Sequence, residues 1–199
     1  MPLRLARLAL VAAAATGTLV AATSFAAAPA HSGCFTASDP KGDTSPAADP
    51  SLDITAFSLA NMGKRLVATV TVDKAATHPV YAPDSRFEVD FTVGGKVVTL
   101  FAKNSVQRAQ EVNAFYQQGI RVDNVFVTGD VEAEFSANTL TIKVKQDVLR
   151  NAVAQPIAGQ PFTAIHALAR ANYLYQDANV TFDQADAPAK TTFVSGAAC

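Results

Sequence analysis

The chain has 199 residues, 16 of them basic and 17 acidic, for a formal charge of −1, and just under half of it is hydrophobic. A charge that small and that mixed offers no electrostatic footprint for nucleic acid. Beyond the first thirty residues no apolar run is long enough to cross a bilayer as a helix, so membrane insertion of the remaining chain is not expected either.

Residues 1–30, MPLRLARLALVAAAATGTLVAATSFAAAPA, place Arg4 and Arg7 before an apolar segment running from Leu8 to about Ala22. Small residues follow and offer cleavage after Ala26, Ala28 or Ala30. That is the order of a secretory signal. A permanent anchor is the rival reading, but Ala and Gly dilute the segment below the apolarity of a typical span. The expected location is therefore secreted or extracellular. The expected organisation is a cleaved signal at 1–30, an acidic, proline-rich segment at 31–50 and one β-sandwich domain at 51–199, with a charge of about −3 left after cleavage.

Cys34 and Cys199 are the only two cysteines. In an oxidising compartment they most simply pair with each other, tying both ends of the domain together. The chain-entropy account puts closure of so long a loop near ~5 kcal/mol. A rival reading makes Cys34 a lipidated N-terminus, because Ser32-Gly33-Cys34 ends like a bacterial lipobox. His31 stands where that box carries an aliphatic residue, which favours the disulfide.

The next stretch, DPKGDTSPAADPSLDI (Asp39 to Ile54), gathers acidic residues among Pro, Gly, Ser and Ala. Calcium takes six to eight oxygen ligands from carboxylates and carbonyls on loops that bend around it. Asp39 and Asp43 flank Gly42, where the chain can fold back and aim both carboxylates at one point. Asp53 stands at the mouth of the first strand, and FDQADAP near the other end adds Asp183 and Asp186. A structural calcium ion held by Asp39, Asp43, Asp53, Asp183 and Asp186 is one expectation; a solvated acidic arm is the other.

Period-two alternation then dominates. RLVATVTVD sets Leu66, Ala68, Val70 and Val72 on one face, RFEVDFTV does so with Phe87, Val89, Phe91 and Val93, and TLTIKVK with Leu140, Ile142 and Val144. VEAEF follows suit, and ITAFSLA, KVVTLFAK, IRVDNVFVT and PFTAIHALAR are further strand candidates. Strands with one face in a core and one in water belong to antiparallel sheets. Gly94-Gly95, Asn61 to Lys64 and Ser136 to Asn138 read as hairpin turns. Ser105 to Gln118 is either helical or a bulged strand, and Gln146 to Ala154 reads as a short helix or turn. The fold class is all-β: an antiparallel, jelly-roll-like β-sandwich with at most one or two short helices.

Catalytic signatures are sparse. There is no HExxH and no GxSxG, and VGGKV lacks the frame of a phosphate loop. His166 shares strand parity with Phe162 and Leu168 and reads as a packed core histidine, and His78 as a loop residue. Glu88 and Asp90 share a strand face and read as solvated carboxylates. Asn179-Val180-Thr181 matches a glycosylation sequon by pattern alone.

The segments Asp39-Pro40-Lys41-Gly42-Asp43, Leu52-Asp53-Ile54 and Asp186-Ala187-Pro188, together with the hairpins between them, are similar to those of DOMON-like and family-9 carbohydrate-binding-like jelly rolls. These are secreted bacterial β-sandwiches, found alone or appended to extracellular hydrolases. The resemblance implies a sandwich with a structural calcium and, in some members, sugar binding. This chain departs from the sugar binders in having no Trp. The expected function is a secreted, calcium-stabilised, monomeric and non-catalytic module for an extracellular carbohydrate or protein. The alternatives are an envelope-anchored lipoprotein acting in protein interaction and a small extracellular hydrolase.

Overall fold

The structure is a computed structural model that describes residues 31–45, 50–74, 84–103, 117–127, 129–172, 180–188 and 193–197. Residues 1–30, where a signal is expected, His78, Ser105 to Tyr116, Asn179 and Cys199 lie outside the described residues.

Among the described residues, thirteen strands and one helix run in the order β1 (His31–Ser32), β2 (Cys34–Ser38), β3 (Ile54–Met62), β4 (Arg65–Val72), β5 (Asp84–Val93), β6 (Lys96–Lys103), β7 (Gln117–Val122), β8 (Val125–Val127), β9 (Val131–Ser136), β10 (Thr139–Lys145), α1 (Gln146–Val153), β11 (Pro161–Asn172), β12 (Val180–Asp186) and β13 (Phe193–Val194). They form two sheets. The large sheet has eight strands in the order β1-β13-β11-β5-β6-β7-β8, with β12 also paired to β11. The small sheet has five, in the order β2-β3-β4-β10-β9. All pairings are antiparallel except β1 with β13. The all-β sandwich is the observed fold.

Strand alternation explains which faces meet. Phe87, Val89, Phe91, Leu140, Ile142 and Val144 are all buried, as their period predicts. Phe87 of the large sheet meets Phe135 of the small sheet at 6.0 Å between ring centroids. Within the large sheet, Phe91 stacks on Phe162 at 4.5 Å, and Phe162 packs on Phe193 at 5.1 Å. Rings of this size contribute the largest single burials to a sandwich core. β2 and β3 face β12 at one end of the interface, and β9 and β10 face β7 and β6 at the other.

Four sequence expectations are corrected. β2 pairs with β3 along its whole length, so residues 34–38 belong to the sandwich and not to an arm preceding it. IRVDNVFVT is two strands, because Asp123 and Asn124 take positive φ (49° and 66°) and turn β7 into β8. Asp and Asn tolerate this conformation better than other non-glycine residues. His166 is not a core residue. A bulge between Thr163 and His166, with Ala164 at φ 49°, shifts the strand's phase so that Phe162 points inward and His166 outward. Finally, Glu88 is only 4% exposed, although it stands on the outer face of its strand.

The helical expectation at Gln146 to Ala154 is met by α1, which buries Leu149 and Val153 one turn apart and ends at Ala154 in the left-handed region. Asp147 in its first turn and Arg150 in its last complement the helix dipole.

Candidate metal centre

β2 is an edge strand of the small sheet, and the residues that follow it, Asp39 to Asp43, lie close to Asp183 of β12 in the large one. Asp39 continues the β2–β3 pairing, its N–H donating to Thr55 O at 3.0 Å. Gly42 then takes φ +89°, a conformation that strains any residue with a Cβ. In that position its N–H meets both carboxylate oxygens of Asp53, at 3.0 and 2.8 Å. The chain is thereby folded back, and Asp43 is brought round toward Asp39.

Asp183 approaches from the other sheet. It is 4% exposed and faces the interface between the sheets. Its Oδ2 accepts from Ile54 N–H at 2.6 Å, and its Oδ1 from Gln184 N–H at 2.8 Å. The first of these bonds ties the start of β3 to β12 across the interface.

Carboxylate oxygens of Asp39, Asp43 and Asp183 all lie within 4.8 Å of one another. Two oxygens bound to one calcium at about 2.3–2.6 Å are at most about 5 Å apart, so the spacing fits a shared ion. Asp39 Oδ2 is buried and has no hydrogen-bond partner among the described residues. The Asp39 carboxyl is pushed up to about 6, by burial first and then by Asp183, Asp43, Asp186 and Asp53. Burial is also the largest influence raising Asp183, opposed by the Ile54 bond. Lys41, the one basic residue of the loop, pairs instead with Asp73.

Three of the five expected ligands therefore converge: Asp39, Asp43 and Asp183. Asp53 is 3% exposed, and its two oxygens are taken by Gly42, so it shapes the loop rather than facing the shared point. Asp186 stands three residues from Asp183 on a strand, which puts it on the opposite face. It is exposed and accepts from Gln184 Nε2 at 2.9 Å. The donor set is all oxygen, with no Cys or His among the three, which suits calcium better than zinc.

His166 and Glu88 belong elsewhere. His166 Nε2 lies 3.0 Å from Asp90 Oδ2 on the outer face of the large sheet. That bond is the main cause raising the imidazole's pKa. Glu88, Asp90 and His166 form a charged layer far in sequence from the acidic loop. Comparison with family models, with curated proteins and with solved structures finds no match to this chain.

Proposed function

We propose that the chain is a secreted, non-catalytic β-sandwich module for an extracellular carbohydrate or protein ligand, stabilised at its acidic end by one calcium ion. The observation that carries the calcium reading is the convergence of Asp39, Asp43 and Asp183 from both sheets, around a buried Asp39 oxygen with no partner among the described residues. Such a cluster is repulsive by itself and becomes a clamp between the sheets once a cation joins it. The resemblance of the Asp39-Pro40-Lys41-Gly42-Asp43 segment to that of DOMON-like domains supports the same reading.

A ligand bound only by the folded state adds roughly 2.7 kcal/mol of stability at a hundred times its dissociation constant. Millimolar calcium should accordingly raise the melting temperature, chelator should lower it, and Asp43→Ala should remove the difference. Identical melting of the wild-type protein with calcium and with chelator would show that the loop is only a solvated acidic segment.

The proposed Cys34–Cys199 bridge is supported by how the ends are held. Asn61 Nδ2 donates to Val194 O and to Ala197 O, each at 3.0 Å. Asn61 adjoins Ala60, the cross-strand partner of Cys34. Two further residues of chain span at most about 7 Å, a reach compatible with a bridge from Cys199 to Cys34. The intact mass of exported protein should be two hydrogens below the dithiol form. Acylated Cys34 with a free Cys199 would establish the lipoprotein alternative instead.

A further inference from the structure

We infer that the outer face of the large sheet carries a second site, a cationic and aromatic pocket for a small carboxylate borne on a single ring. It lies on the side of the sheet away from Asp183 and stands or falls independently of the calcium centre.

Cross-strand register builds it. One row runs Glu88–Phe101–Gly119 across β5, β6 and β7. The row on one side holds Arg121 and its partner Phe126; the row on the other holds Arg86, Lys103 and Gln117. Arg86, Phe101, Lys103, Gln117, Arg121 and Phe126 line a cavity of about 130 Å³. That is room for one ring with its carboxylate, not for a chain of sugars.

The floor is Phe101, a buried ring with the guanidinium carbons of Arg86 and Arg121 each 5.2 Å from its centroid. One wall is Phe126, which is 50% exposed and tilted against Phe101 at 6.0 Å. Gly119 is what lets these rings meet. A Cβ there would stand 2.9 Å from Phe126 Cε2 and 3.1 Å from Phe101 Cζ.

Charge gives the pocket its sign. Arg86 and Arg121 both bond Glu88 Oε1, and Arg170 lies 3.3 Å from Oε2. Glu88 thus faces three guanidinium groups, and the second carboxylate of this face, Asp90, is held by His166, so the arginines still outnumber the carboxylates around them. The Nε–H groups of Arg86 and Arg121 are buried and have no acceptor among the described residues. Guanidinium forks held rigidly by a buried counter-ion are pre-organised for a second carboxylate. The half-exposed Phe126 ring offers an apolar face to whatever carries it.

The test is a calorimetric titration of the exported protein with benzoate, glucuronate and acetate, against benzamide and glucose as neutral counterparts. Benzoate or glucuronate should bind at least about tenfold tighter than its neutral counterpart, the expected gain from one charge-assisted contact. Benzoate ahead of glucuronate would identify an aryl acid, and the reverse an acidic sugar. Arg121→Gln should weaken binding about tenfold or more. Since Arg121 also supports Glu88, Phe126→Ala serves as the second variant and should weaken binding with melting unchanged. The proposal is overturned if neither ring acid outbinds its neutral counterpart, if acetate matches both, or if Phe126→Ala binds like the wild type.

Discussion

At the β2–β3 loop, Asp39, Asp43 and Asp183 bring like charges together, and the nearest lysine of the loop turns away to Asp73. On the outer face of the large sheet, Arg86, Arg121 and Arg170 also bring like charges together, but around Glu88, a carboxylate the fold itself has buried among them. Clustered charge is costly in either place. The cationic face carries part of its compensation in its own sequence; the acidic end, under the function proposed above, draws its compensation from a cation in solution. Removing one charge should therefore have opposite signs in the two regions.

The largest effect is expected at Glu88. Glu88→Gln leaves three guanidinium groups without their shared counter-charge. Breaking a buried pair by deleting one partner costs about 3–5 kcal/mol. Because these arginines keep some solvent contact, about 3 kcal/mol is expected here, read from urea denaturation and unaffected by calcium. Asp43→Asn in chelator should instead leave stability equal or higher, since it removes repulsion. If both variants destabilise the chelated protein alike, the two regions are not built differently.

The faces of β5 and β10 were legible because a strand alternates strictly and each carries an uninterrupted pattern. β11 was misread because one bulge at Thr163 to His166 moves every later residue to the other face, and a bulge leaves little trace in composition. The convergence of Asp39, Asp43 and Asp183 was half legible. Gly42 announced the turn, but only the placement of β12 opposite β3 brings Asp183 in, and strand adjacency is a tertiary fact. The arginine face was missed for the same reason. Residues 86, 121 and 170 sit on three different strands, and although the Gly94-Gly95 turn sets β6 beside β5, nothing local sets β11 on its other side. Glu88 looked solvated because outer faces usually meet water, whereas here arginine stems and Phe101 cover it.

The second effect in size is a pH dependence of the calcium response. Asp39 has its pKa raised to about 6 in the fold, from an ordinary 3.8. Between those values the folded chain holds a proton that the unfolded chain has released, so stability without calcium falls as pH rises through this window. Burial raises Asp183 in the same direction. Calcium needs the ionised carboxylates and removes their repulsion, so it opposes that fall. The melting difference between calcium and chelator should thus be small near pH 5 and widen through about pH 6. His166, also raised, titrates on the other region and contributes equally with and without calcium, so it drops out of the difference. A calcium effect independent of pH would remove Asp39 from the site.

The smallest effect is expected at Asp186, and its smallness is what makes it informative. Asp183 and Asp186 are neighbours in sequence and both acidic, yet strand alternation turns one inward and the other out. Asp183→Asn removes a group that faces Asp39 and Asp43, and should abolish the melting shift with calcium. Asp186→Asn removes only a distant contribution to the field on Asp39 and a surface hydrogen bond from Gln184. The calcium shift should survive that change almost whole, with the apo protein no less stable than the wild type. Loss of the shift in Asp186→Asn would mean that the ion sits further along β12, toward the edge of the large sheet. The charge comparison would then have to be redrawn, because Asp186 stands directly opposite His166 and the acidic and cationic regions would meet there.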